Sequence, residues 1–164
     1  MIIILMGVSG CGKSTIGKHL AAILNIPYYE GDVFHPSSNV AKMSAGFPLT
    51  DKDRKAWLTA LAALISKKIV KGEDGILACS ALKKKYREQL RVSPGQVHFI
   101  YLKGDYDLIY SRIKGRKNHY MTANLLRSQF NDLQEPENAL TVMIDQTPKE
   151  IVREITTHLS TIRS

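Results

Sequence analysis

The sequence predicts an α/β fold in which a five-stranded parallel sheet carries helices on both faces. Three observations lead there. Short apolar runs alternate with amphipathic stretches along the whole chain, the pattern of repeated βαβ units. The first run, Ile2-Ile3-Ile4-Leu5-Met6, is apolar at every position, as a strand buried on both faces must be. It leads directly into Gly7-Val8-Ser9-Gly10-Cys11-Gly12-Lys13-Ser14, which fits G-x-x-x-x-G-K-[ST] without substitution.

That spacing has a chemical reason. Glycines at 7, 10 and 12 let the backbone turn successive N–H groups inward around phosphate oxygens. A helix beginning near Lys13 adds its positive dipole end, Lys13 can reach the β/γ-phosphates, and the Ser14 hydroxyl suits Mg²⁺. This reads as a P-loop. An ordinary glycine-rich turn would need neither the strand before it nor the amphipathic run after it, with Ile16, Leu20, Ile23 and Leu24.

The remaining elements follow in order. The first helix spans Ser14–Leu24, and a short strand lies around Pro27-Tyr28-Tyr29, ending in Glu30-Gly31-Asp32. From Val33 to Leu49 the chain reads as an irregular working loop with room for one helical turn, punctuated by Pro36, Gly46 and Pro48. Thr50-Asp51-Lys52-Asp53 resembles a capping box opening a helix whose apolar face carries Trp57, Leu58, Leu61, Ile65 and Ile69. A third strand is expected at Ile76–Cys79, then a basic helix to about Leu90, and a fourth strand at Val97–Leu102. Asp105 can cap a helix to about Gly115, a further helix covers Thr122–Leu133, and a fifth strand runs Leu140–Ile144. Pro148 opens the closing helix, with Ile151, Ile155, Leu159 and Ile162 on one side.

Length and composition bound the function. With 164 residues, 44% of them hydrophobic, residues 1–164 fit one domain with a real core. The net charge of +8 favours anionic partners. No apolar run approaches the ~20 residues that span a bilayer, so the expectation is a soluble cytoplasmic protein without a membrane partner. Two cysteines, Cys11 and Cys79, make neither a disulfide framework nor a metal cluster. No strand interleaves aromatic and basic residues for stacking bases, so no nucleic-acid partner is expected.

In such sheets ligands bind beyond the carboxyl ends of the strands, where Gly7, Asp32, Cys79 and Ser80 should converge. Asp32 is the candidate base for an acceptor hydroxyl; its other reading is a turn aspartate after Gly31. Strand 3 ends Ala78-Cys79-Ser80, without the carboxylate that many P-loop proteins keep there for magnesium, and Asp32 is the nearest replacement. His35 could touch substrate or serve as a turn residue before Pro36. Arg54 could pair a substrate carboxylate bidentately, or Asp51 as an ordinary helix pair. Lys83 and Arg87, and likewise Arg112 and Arg116, are four apart on a helical face and could hold anions, or be solvated charge. Gly115 and Lys117-Asn118-His119 beside the second pair suggest a lid that closes arginines over the transferring phosphoryl group.

These residues together resemble the small gluconokinases, P-loop kinases related in fold to shikimate and adenylate kinases. The match runs through Met6 to Ser14, Gly31-Asp32-x-x-His35-Pro36, Asp51-x-Asp53-Arg54-x-x-Trp57, Cys79-Ser80-Ala81-Leu82-Lys83-Lys84-x-Tyr86-Arg87 and Ser128-Gln129-Phe130. It covers nearly the whole chain. The resemblance implies a three-layer P-loop kinase sandwich with a small helical lid at approximately 112–135, and phosphorylation of D-gluconate to 6-phosphogluconate with ATP and Mg²⁺. It places ATP at Gly7, Val8, Ser9, Gly10, Cys11, Gly12, Lys13, Ser14 and Thr15, with Lys13, Asp32, Arg112 and Arg116 catalytic. Asp32, His35, Arg54, Lys83 and Arg87 would bind substrate, and Ser14 and Asp32 the metal. Members of that family are often homodimers. The nearest alternative is a kinase of the same fold acting on shikimate, a nucleoside monophosphate or adenylyl sulfate.

Overall fold

A strand with no polar residue has to be covered on both faces, and β1 (Ile2–Met6) is. Ile3 and Leu5 enter one core, while Ile2, Ile4 and Met6 enter a second on the opposite face. The computed structural model describes residues 1–116 and 121–163. Within them β1, β2 (Tyr28–Glu30), β3 (Gly75–Ala78), β4 (Val97–Lys103) and β5 (Leu140–Met143) form one sheet in the order β2-β3-β1-β4-β5. Every pairing is parallel, as the alternating pattern requires.

The helices divide between the two faces. Ile16 and Leu20 of α1 (Lys13–Leu24) share the first core with α5 (Tyr106–Lys114), α6 (Ala123–Asp132) and α7 (Pro148–Arg163). Trp57, Leu58, Leu61 and Ile65 of α3 (Asp51–Val70) share the second with Tyr86 and Leu90 of α4 (Lys84–Leu90). Leu61 is fully buried, so its truncation to alanine would cost about 2–5 kcal/mol. The expected caps are present: Thr50 and Asp53 form a reciprocal capping box, and Asp105 Oδ1 accepts from the Leu108 amide at 2.8 Å.

The irregular loop expected between Val33 and Leu49 is more ordered than its sequence announces. A 3-10 turn at Gly31–Phe34 leads into a two-turn helix, α2 (Ser37–Ser44). Its anchor is Asn39, 4% exposed, whose amide donates to the Asp53 carbonyl at 2.8 Å and to His35 Nδ1 at 3.2 Å. Polar burial rather than an apolar stripe holds this helix, which is why periodicity did not find it.

The chain leaves β1 for the β2 and β3 side of the sheet and returns to the β4 side, so the order reverses at the carboxyl end of β1. That is the crevice where open α/β sheets bind ligands.

Candidate active site

The loop between β1 and α1 fills this crevice. Gly7, Gly10 and Gly12 all have positive φ, and a Cβ on Gly10 would stand 2.7 Å from Ile113 Cγ1. The loop is therefore pressed against α5, and only glycine permits the fit. Lys13 folds back over it, its ammonium donating to the carbonyls of Gly7 at 2.9 Å and Val8 at 3.0 Å. The Ser9 amide donates to Gln129 Oε1 of α6 at 2.7 Å. Cys11 is buried in the loop and Cys79 beside it; both thiols are free, and burial pushes Cys79 up to about 12.

Two acids stand at the end of β2. Ser14 Oγ and the Tyr28 hydroxyl both donate to Glu30 Oε2 at 2.6 Å, so the carboxylate meeting the expected metal-binding hydroxyl is Glu30. The sequence reading had given that place to Asp32. Burial and the Glu30 charge both push the Tyr28 phenol above its ordinary range, which keeps it a donor. Asp32 lies two residues on, in the 3-10 turn, and lines one cleft with Ser9, Lys13, Arg54 and Ser80. Gly31 between the acids is held from both sides: Trp57 Nε1 donates to its carbonyl at 2.8 Å, and a Cβ there would lie 2.3 Å from the Ala78 carbonyl oxygen.

His35 forms the next part of the wall. Its ring stacks on Trp57 with centroids 4.3 Å apart, and Asn39 Nδ2 donates to Nδ1. Burial first, then the Arg54 charge, lowers its pKa to about 4, so the ring is neutral with its proton on Nε2.

The basic residues separate into two groups. Arg54 is 8% exposed, lines the cleft, and donates from Nη1 to the Tyr86 hydroxyl at 3.0 Å and to Asp132 Oδ2 at 2.9 Å. Its partner is thus Asp132 on α6 and not Asp51. Asp51 instead accepts from Lys83 at 2.9 Å, Lys85 at 2.5 Å and the Tyr86 hydroxyl, contacts that hold it well below the usual carboxylate range. Lys83 also comes within 3.8 Å of Asp132 Oδ1.

Arg87 and Arg112 are placed elsewhere. Arg87 does not line the cleft; its Nη1 donates to the carbonyls of Ala81 and Leu82, both at 2.9 Å, and it borders a separate cavity with Glu88, Arg91 and Gln134. Arg112 Nη2 donates to the Ile144 carbonyl at 2.8 Å, bracing the end of β5. Arg116 is exposed just past α5, and the expected lid residues Lys117, Asn118 and His119 lie outside the described residues.

Four residues of this site escaped the sequence reading. Glu30 had a signal, since it stands two positions before Asp32 at a strand end. Asn39 and Gln129 stand among the residues that carry the family resemblance, but nothing there assigns them a role, and Asp132 reads as an ordinary polar residue on a helix surface.

Comparison with known proteins places the chain in a family. The sequence model of the shikimate kinase family matches residues 9–160. The thermosensitive gluconokinase of Escherichia coli K12 is 46% identical over 134 residues, covering 82% of this chain and 72% of that protein. The thermoresistant gluconokinase of the same organism is 45% identical over 157 residues, covering 92% and 89%. The crystal structure of a gluconokinase from Sinorhizobium meliloti superposes with a TM-score of 0.87 at 39% identity, covering 98% of this chain and 91% of that one. With a phosphate loop, an aspartate and a buried arginine around one cleft, and with these relatives along nearly its whole length, the chain belongs to the gluconokinase family within the shikimate kinase-like P-loop kinases.

Proposed function

We propose that the chain phosphorylates D-gluconate at its terminal hydroxyl, using ATP, to give 6-phosphogluconate and ADP. The observation that carries this reading is one cleft lined by Ser9 and Lys13 of the phosphate loop, by Asp32, and by the buried Arg54. A sugar acid has one alcohol to phosphorylate and one carboxylate to be held, and the cleft offers an acid for the first and a guanidinium for the second.

The residues divide the work. Loop amides and Lys13 bind the phosphates; Lys13 must release the Gly7 and Val8 carbonyls to do so. Asp32 accepts the proton of the acceptor hydroxyl as its oxygen bonds to the γ-phosphorus and the bond to the ADP oxygen breaks. Arg54 holds the substrate carboxylate, and the neutral His35 offers its Nε2–H to a substrate hydroxyl. Ser14 and Glu30, two hard oxygen donors 2.6 Å apart, fit a magnesium ion. When bound, that ion neutralises charge on the phosphates.

The test is an acceptor panel with ATP and the full chain: gluconate, shikimate, adenylyl sulfate and nucleoside monophosphates, read by ADP release and by mass of the product. Gluconate should be phosphorylated with kcat/KM far above the others. Turnover of shikimate or a nucleotide without gluconate would overturn the reading.

A further inference from the structure

We infer that α6 is a built-in competitor for both halves of the cleft: Gln129 occupies a phosphate-binding amide and Asp132 occupies the arginine that receives a substrate carboxylate. The inference rests on the proposed function, because it takes the Ser9 amide and Arg54 as ligand-binding groups.

Three observations carry it. Gln129 Oε1 accepts from the Ser9 amide at 2.7 Å, the contact a phosphate oxygen would make with the same N–H. Asp132 Oδ2 accepts from Arg54 Nη1 at 2.9 Å, with Oδ1 3.8 Å from the Lys83 ammonium, so a carboxylate already stands among the cations meant for one. Gln129 and Asp132 are three apart on α6 and therefore face the same way, so one helix makes both contacts at once.

The consequence is coupling between the substrates. A triphosphate that takes the Ser9 amide displaces Gln129, and α6 is then tied to the cleft by one contact fewer, the one from Asp132 to Arg54 remaining. A sugar acid that takes Arg54 from Asp132 weakens the hold of Gln129 in the same way. Each ligand favours the released arrangement, so each must tighten the binding of the other by an equal factor. An opposite role for Asp132 would be to position Arg54 for substrate, and the two roles predict effects of opposite sign.

The experiment is calorimetric titration of gluconate into the full-length wild type, Gln129→Ala and Asp132→Asn, each with and without magnesium and a non-hydrolysable ATP analogue. Unliganded melting curves verify folding. In the wild type the analogue should lower the gluconate Kd by roughly five-fold or more. Asp132→Asn should bind gluconate more tightly than wild type without the analogue, by a similar factor, and in Gln129→Ala the analogue's effect should shrink toward none. Weaker or unchanged gluconate binding in Asp132→Asn, or an undiminished analogue effect in Gln129→Ala, would overturn the inference while leaving the gluconokinase reading intact. Absence of gluconate binding in every form would refute that reading, and the inference with it.

Discussion

Replacing Gly31 by alanine tests whether the backbone between the two acids positions them for catalysis. The new Cβ would sit 2.3 Å from the Ala78 carbonyl oxygen, about 0.7 Å short of the 3.0 Å that real Cβ contacts respect. The strand end cannot simply back away, because Trp57 Nε1 holds the Gly31 carbonyl at 2.8 Å. A shift approaching 1 Å must therefore stretch the Trp57 contact or carry Asp32 off line, and a misplacement of that size costs on the order of 10²-fold in rate. A weakened buried hydrogen bond adds about 1–3 kcal/mol of lost stability. Gly72→Ala is the control: its φ is +66, so it carries left-handed strain of about 1–2 kcal/mol, but nothing lies within 4 Å of its Cβ and it is remote from the cleft. Steady-state kinetics and urea unfolding should show kcat falling in Gly31→Ala and holding in Gly72→Ala, with both destabilised. If Gly31→Ala keeps wild-type kcat, the junction is not what positions the acid.

The other predictions concern neighbouring groups. Asp32→Asn keeps the shape but not the charge of the proposed base, so kcat should fall about 10²–10⁴-fold while ATP affinity, measured separately, stays near wild type; a variant retaining most of its kcat rules out the base role. Glu30→Gln leaves the Ser14 and Tyr28 hydroxyls an acceptor but removes the charge, so half-saturating magnesium should rise by roughly ten-fold; an unchanged magnesium dependence would separate Glu30 from the metal. His35, lowered from 6.5 to about 4 chiefly by burial, contributes stability that is complete above about pH 6.5 and is lost as pH falls toward 4. His35→Phe, which preserves the stack on Trp57, should lose less stability than wild type between pH 7 and 5 in urea titrations, and equal losses would refute this assignment.

Sheet, helices and phosphate loop were legible because each rests on local chemistry. An all-apolar pentapeptide, glycines at fixed spacing and a Thr-x-x-Asp cap encode their structure within a few residues. What depends on contacts between distant segments was not legible. α2 exists because Asn39 reaches the Asp53 carbonyl across fourteen positions, and Arg54 finds Asp132 across seventy-eight. Periodicity carries no trace of either. Glu30 and Asp32 show the boundary well: both were visible at the strand end, but which of them meets Ser14 is decided by the 3-10 turn that redirects the chain at Gly31.

The arginines make the same point about charge. A net charge of +8 and two pairs of basic residues at helical spacing invite the expectation that all of them meet the anionic substrates. Yet Arg87, 7% exposed, spends its guanidinium on the carbonyls of Ala81 and Leu82. Ala81 has φ +44, a conformation that costs a residue with a Cβ about 1–2 kcal/mol, and its neighbours Ser80 and Leu82 both line the cleft. A buried cation bonded to two adjacent carbonyls stabilises that strained turn, so Arg87 braces the backbone that carries Ser80 and Leu82 into the cleft. Arg112 does the corresponding work at the Ile144 carbonyl on the far side of the sheet. Arg54 differs from both in that its partners are side chains, a phenol and a carboxylate. Side-chain partners can be exchanged for a ligand without unmaking the backbone, and of these three buried or half-buried arginines only Arg54 has them, which supports the substrate-binding role proposed for it.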